Sequence, residues 1–104
     1  MARSGIYCIT NLTNGKKYVG QTKSLATRKH QHWTALKGGH HKNTDMQRDW
    51  NRNNRGFRFD ILEFCAVRLL NEREQYWIKE LGTEKPRGYN GKWVPYTRKK
   101  VRNK

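Results

Sequence analysis

The sequence predicts a small α/β (α+β) domain in which helices pack on a three-stranded sheet, in the order ββααβα. Three observations lead there. Strand-like runs flank an Asn14-Gly15 turn signal near the start. Apolar residues then recur at helical spacing in separate later stretches. One further strand-like run, beginning at Phe57, stands between the second and third of those stretches. With 104 residues the chain is long enough for one domain and too short for two.

Residues 5–10 and 16–22 read as the two strands of a hairpin, carrying the triplets Gly5-Ile6-Tyr7 and Tyr18-Val19-Gly20. Side chains alternate along a strand, so an even-numbered loop puts Tyr7 and Tyr18 on one face unless a bulge intervenes. A helix follows from Leu25 to Leu36, with Ser24 placed to cap it and Gly38-Gly39 to end it. A second, short helix fits Asn43 to Asn53, and Asn53-Asn54-Arg55-Gly56 is a turn. From Phe57 to Cys65 a third strand alternates at Phe57, Phe59 and Ile61, then loses its period at Leu62 and Phe64. That break predicts burial on both faces or a bulge. The third helix fits Leu69 to Leu81 and stops at Gly82. Pro86-Arg87-Gly88 is a turn before Tyr89-Asn90. The domain is expected over residues 1–91, followed by a basic tail over 92–104.

Lys and Arg number 23 against 8 acids, a net charge of +15. A small domain that repels itself this strongly points to a polyanionic partner, nucleic acid first and anionic membrane second. No apolar run approaches the ~20 residues of a membrane span. The N-terminus has no signal-peptide core, so an intracellular (cytoplasmic) location is expected. Cys8 and Cys65 are isolated, which fits reduced buried thiols. Four His and two Cys are present, but none is spaced like a zinc finger.

Candidate chemistry lies on two helices. Leu70, Glu74, Trp77, Ile78 and Leu81 share one face of the third, and Glu74 is the polar exception. A carboxylate turned toward a core needs a cation or hydrogen bonds. Glu74 is therefore a metal-binding carboxylate, a salt-bridge partner, or half of a capping box with Asn71 as N-cap. On the first helix Leu25, Arg28, His32 and Leu36 share a face, so Arg28 and His32 lie one turn apart. Arg suits a phosphate and His can move protons, though both also suit the solvated edge of an amphipathic helix. His40 and His41 lie in a Gly-rich loop. The chain has no Gly-rich phosphate loop ending in Lys and Ser or Thr, no nucleophile elbow and no carboxylate cluster for two metals. A metal enzyme built on it must work with one carboxylate and one ion.

These residues together resemble the GIY-YIG nuclease family. Gly5-Ile6-Tyr7 and Tyr18-Val19-Gly20 match its signature, with Val for the middle Ile. Arg28 and His32 match the Arg and His of its first helix. Glu74, in Arg73-Glu74-Gln75-Tyr76-Trp77-Ile78, matches its third-helix Glu, and Asn90, in Gly88-Tyr89-Asn90, matches its later Asn. The likeness covers about residues 4 to 91 and is nearest to phage intron-encoded homing endonucleases. Those carry a further His after the first helix, which falls on His41, or on His40 if one residue is inserted.

The resemblance implies an antiparallel sheet and phosphodiester hydrolysis in double-stranded DNA with one divalent ion, Mg²⁺ or Mn²⁺. It implies that Glu74 holds the ion, Arg28 neutralises the scissile phosphate, and Tyr7 or His32 takes the proton of the attacking water. Tyr18 orients water or phosphate, and Asn90 supports Glu74 and the sheet. A monomer, or a transient dimer on DNA, is expected. Homing enzymes continue into a linker and a DNA-binding domain, so this chain is expected to be either a catalytic fragment or a free-standing nuclease. The tail then supplies affinity for the DNA backbone, or serves as a disordered solubilising end. The alternative to a nuclease is a nucleic-acid-binding module with the same fold and no cleavage activity; an RNA-directed protein ranks behind both, because the aromatic sheet motif of common RNA binders is missing.

Overall fold

A computed structural model describes residues 3–53 and 56–91. Its elements are β1 (Gly5–Asn11), β2 (Lys17–Thr22), α1 (Leu25–Gly38), α2 (Thr44–Arg52), β3 (Phe57–Phe64) and α3 (Leu70–Leu81), with a 3-10 turn at Val67–Leu69 leading into α3. The predicted ββααβα order is the one observed. The 92–104 tail lies outside the described residues, as does the Asn54-Arg55 part of the predicted turn.

The strands lie in the order β2-β1-β3, both pairings antiparallel. β1 is central, and every one of its residues is buried. Its alternation divides the core in two. Tyr7 and Ile9 face one side and pack with Leu25 and Leu36 of α1, Met46 and Trp50 of α2, and Tyr89. Ile6 and Cys8 face the other side and pack with Val19 of β2 and Leu70 and Ile78 of α3. The sheet thus lies between α1 and α2 on one face and α3 on the other. Trp77 and Leu81 are half-buried against that second cluster, so the apolar stripe read on α3 packs on the sheet.

The hairpin register pairs Tyr7 with Gly20 and Ile9 with Tyr18. Both phenols therefore share a face, as parity predicts. The connecting loop is an Asx-stabilised one: Asn11 Oδ1 accepts from Thr13 N and Asn14 Oδ1 from Lys16 N, each at 2.9 Å, and Gly15 takes the left-handed φ of 80°. The lost period in β3 is a bulge. Ile6 pairs with Glu63 and Tyr7 with Ile61, leaving Leu62 as the extra residue.

Some local chemistry differs from expectation. Ser24 holds the N-cap position of α1 but makes no capping bond to the backbone; its hydroxyl goes to Thr27 Oγ1 at 2.9 Å. α1 runs to Gly38, and Gly39 supplies the left-handed cap. α2 is capped as expected, with Asn43 Oδ1 accepting from Met46 N at 3.0 Å. The Asn71–Glu74 capping box is not formed. The 3-10 turn starts the helix two residues earlier, so Leu69 is the N-cap and Asn71 sits inside the first turn of α3.

The outer edge of β2 is covered by the segment after α3. Tyr89 N donates to Lys17 O at 2.9 Å. The Asn90 side chain brackets Val19, accepting from its N–H at 2.8 Å and donating to its carbonyl at 2.9 Å. These bonds occupy an edge that is otherwise open to another chain. No helix among the described residues is long and apolar enough to cross a membrane.

Candidate active site

The face of β1 and β2 that carries the two tyrosines is roofed by α1. Tyr7 and Tyr18 sit with ring centroids 6.4 Å apart, and the Tyr7 ring is stacked on Phe59 of β3 at 5.0 Å. A residue at 7 with a full ring needs an empty place opposite. Gly20 supplies it: any Cβ there would coincide with the Tyr7 ring and its hydroxyl. Gly5 answers a different need, because a Cβ there would strike the Glu63 carbonyl, where β3 presses in at the bulge.

His32 reaches down from α1 and is 8 % exposed. Its Nε2 lies 2.6 Å from Tyr7 Oη, and its Nδ1 lies 2.7 Å from His41 Nε2. The two imidazoles stack at 4.9 Å. His41 is thereby the loop histidine that meets His32, while His40 is exposed and lines the cleft beside it. Two further contacts hold His41: Asn43 N donates to its Nδ1 at 3.0 Å, and its own N–H donates to Gln47 Oε1 at 2.9 Å.

Arg28 sits one turn before His32. Among the described residues its Nε is buried and has no hydrogen-bond partner. A buried N–H of a cation left unpaired is costly, so the arrangement is built to receive an acceptor. Arg28 lies between two clefts. One, of about 640 Å³, is lined by Tyr18, Gln31, His32, His41 and Lys42 among others; the second, of about 380 Å³, by Gln21, Lys23, Ser24 and Thr27 among others. A further cleft of about 490 Å³ behind α3 holds Lys79, Lys85 and Arg87 and none of these site residues.

Glu74 enters from the opposite face of the sheet, at the β2 edge. Gln21 Nε2 donates to Glu74 Oε1 at 2.8 Å and to Asn71 Oδ1 at 2.7 Å. The amide has two hydrogens and two acceptors, so its direction is fixed. No salt bridge engages Glu74 among the described residues. No group of three or more His, Cys, Asp or Glu that could hold a metal occurs among them either. A half-buried carboxylate with a free second oxygen fits a hard divalent ion that keeps most of its waters, and Mg²⁺ is bound in this sparse way.

Asn90 departs from its expected place. It makes no hydrogen bond to Glu74 among the described residues; besides Val19 its amide meets Thr83 Oγ1 at 2.7 Å. Its two-sided grip on one residue of β2 suits the edge of a strand. Gln21 takes that supporting part, and it was missed in the sequence although it directly follows the Tyr18-Val19-Gly20 triplet. In the sequence Asn43 marks only the start of α2, and its backbone N–H carries no sequence signal.

Electrostatics follow burial. Desolvation pushes the Tyr7 and Tyr18 phenols up, and the Arg28 charge pulls both part of the way back. Burial, then the His41 and Arg28 charges, push His32 down to about 4, so it is neutral at pH 7. Burial raises Glu74, and the Gln21 amide opposes it. The Glu74 charge also raises Tyr18 and Tyr7, which places the carboxylate within electrostatic reach of the tyrosine pair.

A three-stranded antiparallel sheet with two tyrosines, an arginine and a histidine on one face and a lone glutamate at its edge defines a GIY-YIG catalytic domain. The model of that domain family matches residues 3–90, and the chain belongs to the family. It is 41% identical over 90 residues to Intron-associated endonuclease 1 of Enterobacteria phage T4, covering 85% of this chain and 36% of that protein. The chain thus spans about a third of that relative's length. Among solved structures it resembles the catalytic domain of the homing endonuclease I-TevI, with a TM-score of 0.80, 39% identity, and coverage of 88% of this chain and 100% of that one. A mutant of the same catalytic domain superposes with a TM-score of 0.79 at 38% identity, covering 90% of this chain and 98% of its own.

Proposed function

We propose that this chain is a DNA endonuclease that hydrolyses phosphodiester bonds in double-stranded DNA with one divalent ion, Mg²⁺ or Mn²⁺, held at Glu74. The observation that carries it is the pairing of two unsatisfied groups of opposite need. Arg28 offers a buried Nε–H without an acceptor, and Glu74 offers a carboxylate oxygen without a cation. A phosphodiester with its metal ion completes both. The relatives named above are endonucleases, which supports the same reading.

The residues divide the work. Arg28 donates its planar fork to the scissile phosphate and offsets the charge that grows in the transition state. Tyr7, with His32 against its hydroxyl, receives the proton of the attacking water. Tyr18 orients that water or a phosphate oxygen. A divalent ion at Glu74 supplies Lewis acidity at the phosphate and the departing 3′ oxygen. Asn90 keeps the β2 edge, and so Tyr18 and Gln21, in place. The net charge of +15 supplies backbone affinity without sequence preference.

Residues 1–91 form the nuclease domain in this reading, and the basic 92–104 segment adds phosphate contacts. One site per chain nicks one strand; two strands are cut by successive nicks or by a transient dimer on DNA. The T4 relative suggests action in the cytoplasm of a phage-infected cell.

Plasmid nicking with and without Mg²⁺ tests the proposal. Glu74→Ala and Glu74→Gln should lose cleavage and keep DNA binding. Wild-type cleavage by Glu74→Ala overturns the metal assignment. No nicking at any Mg²⁺ or Mn²⁺ concentration overturns the enzyme reading in favour of a binding module.

A further inference from the structure

Three hydrogen bonds in series link the backbone of Asn43 to the Tyr7 hydroxyl. Asn43 N lies 3.0 Å from His41 Nδ1, His41 Nε2 lies 2.7 Å from His32 Nδ1, and His32 Nε2 lies 2.6 Å from Tyr7 Oη. Imidazole nitrogens either donate or accept, and hydrogen positions follow from the network around them. Here one end of the series has no freedom. A backbone N–H can only donate, so His41 Nδ1 is bare. Neutral His41 then carries its proton on Nε2 and donates to His32. His32 Nδ1 is bare in turn, and neutral His32 carries its proton on Nε2, pointing at Tyr7.

We propose that Asn43 and His41 are positioning residues that fix His32 as a hydrogen-bond donor to Tyr7, which leaves His32 no free nitrogen for the proton of the attacking water. The inference rests on the nuclease reading for this consequence and not for the tautomers themselves. His32 Nε2 already bears a proton and cannot receive another while its Nδ1 accepts from His41. It can hold a phenolate, because a donor at 2.6 Å stabilises the charged form of the phenol. Burial, then the Tyr18 and Glu74 charges, push the Tyr7 phenol up, and the Arg28 charge opposes them from α1.

Neutrality of both rings is what the surroundings favour. His32 faces Tyr7, Tyr18, Arg28 and His41, and none of these is an acid that holds a proton on it. His41 is pushed down by burial and by the neighbouring His40. In the reaction the water O–H bond breaks and the Tyr7 O–H bond forms. The hydroxide oxygen bonds to phosphorus, the P–O3′ bond breaks, and the 3′ oxygen takes a proton from solvent. Tyr7 later returns its proton to solvent. No proton moves along the histidine pair.

Long-range nitrogen–proton correlation spectra of the isotope-labelled chain at neutral pH read the tautomers directly. The expected result is that His32 and His41 both carry the proton on Nε2, with Nδ1 bare. His32 protonated on Nδ1, or on both nitrogens, overturns the proposal whether or not the chain cuts DNA. Loss of cleavage with the expected tautomers overturns the nuclease reading instead. A pair of variants adds the kinetic test. His41→Ala leaves His32 Nδ1 without its donor and should lower kcat at least ~10-fold with little change in KM, since loss of tautomer control in another enzyme costs ~10⁴-fold. His41→Gln presents an amide N–H and should restore most of that loss. Unchanged kcat and an unchanged His32 spectrum in His41→Ala overturn the role assigned to His41. If that variant does not fold, the wild-type spectrum alone decides.

Discussion

The Tyr7 ring occupies the space in which a side chain at Gly20 would begin. The two residues are paired across β1 and β2. One triplet's tyrosine and the other's glycine are therefore a single steric unit, and the second triplet's tyrosine, Tyr18, completes the wall at a centroid distance of 6.4 Å. Gly20→Ala should push the Tyr7 ring off Phe59 and away from His32. Overpacking of this kind costs about 1–3 kcal/mol. The expected outcome is a folded protein with lower stability in urea and a loss of cleavage larger than the stability change explains. An alanine variant that cuts at the wild-type rate would show that Tyr7 has no required position.

The hairpin, the three helices and the Tyr7–Tyr18 face were legible because they depend on local periodicity and parity. Arg28, His32 and Glu74 stood out as polar interruptions of apolar stripes, and all three converge on the β2 side of the sheet. The Asn71 capping box, one of three roles open to Glu74 in the sequence, does not form because the chain enters α3 through a 3-10 turn, and Ala66 to Leu69 carry no motif for it. Gln21, Asn43 and the true partners of Asn90 were not legible. Gln21 and Asn90 act on residues 53 and 71 positions away in sequence, and all three act through a backbone group or an amide with no titratable signal.

Gln21 gives a prediction about metal use. Its amide is the one hydrogen-bond donor on Glu74 among the described residues, and Asn71 anchors that amide. Groups that orient a metal ligand are worth 10–100-fold in affinity or activity elsewhere. Gln21→Ala should therefore raise the Mg²⁺ concentration for half-maximal cleavage about tenfold, with kcat at saturating Mg²⁺ much less affected. Titration of nicking rate against Mg²⁺ measures it. An unchanged half-maximal concentration would mean that Glu74 is placed by its helix alone.

The acid limb of stability should depend on a second buried cluster that the proposed chemistry does not use. Tyr89 Oη donates to Asp49 Oδ2 at 2.6 Å, Asn14 Nδ2 donates to the same oxygen at 3.3 Å, and Asn11 Nδ2 donates to Tyr89 Oη at 3.0 Å. Together they pin the hairpin loop and the segment after α3 onto α2. Burial by itself raises the Asp49 carboxyl, but the bonds from Tyr89 and Asn14 and the Arg48 charge outweigh it, and the net direction is down. Tyr89 is pushed up to about 12, by burial first and then by Asp49, so it remains a donor through the whole acid and neutral range. The sign follows from linkage. A carboxyl lower in the folded than in the unfolded state adds stability that is complete above its unfolded value of 3.8 and is lost as pH falls through the folded value. Tyr89→Phe removes the shortest of these bonds and leaves burial less opposed. It should cost about 1–3 kcal/mol at neutral pH, and that cost should shrink as pH falls through the folded Asp49 value, because the stabilisation it removes is lost there in the parent chain as well. Urea denaturation at neutral pH and along an acid series measures both. A cost that stays constant along the acid series would remove Asp49 from the pH dependence and leave the Tyr89 hydroxyl a packing role only.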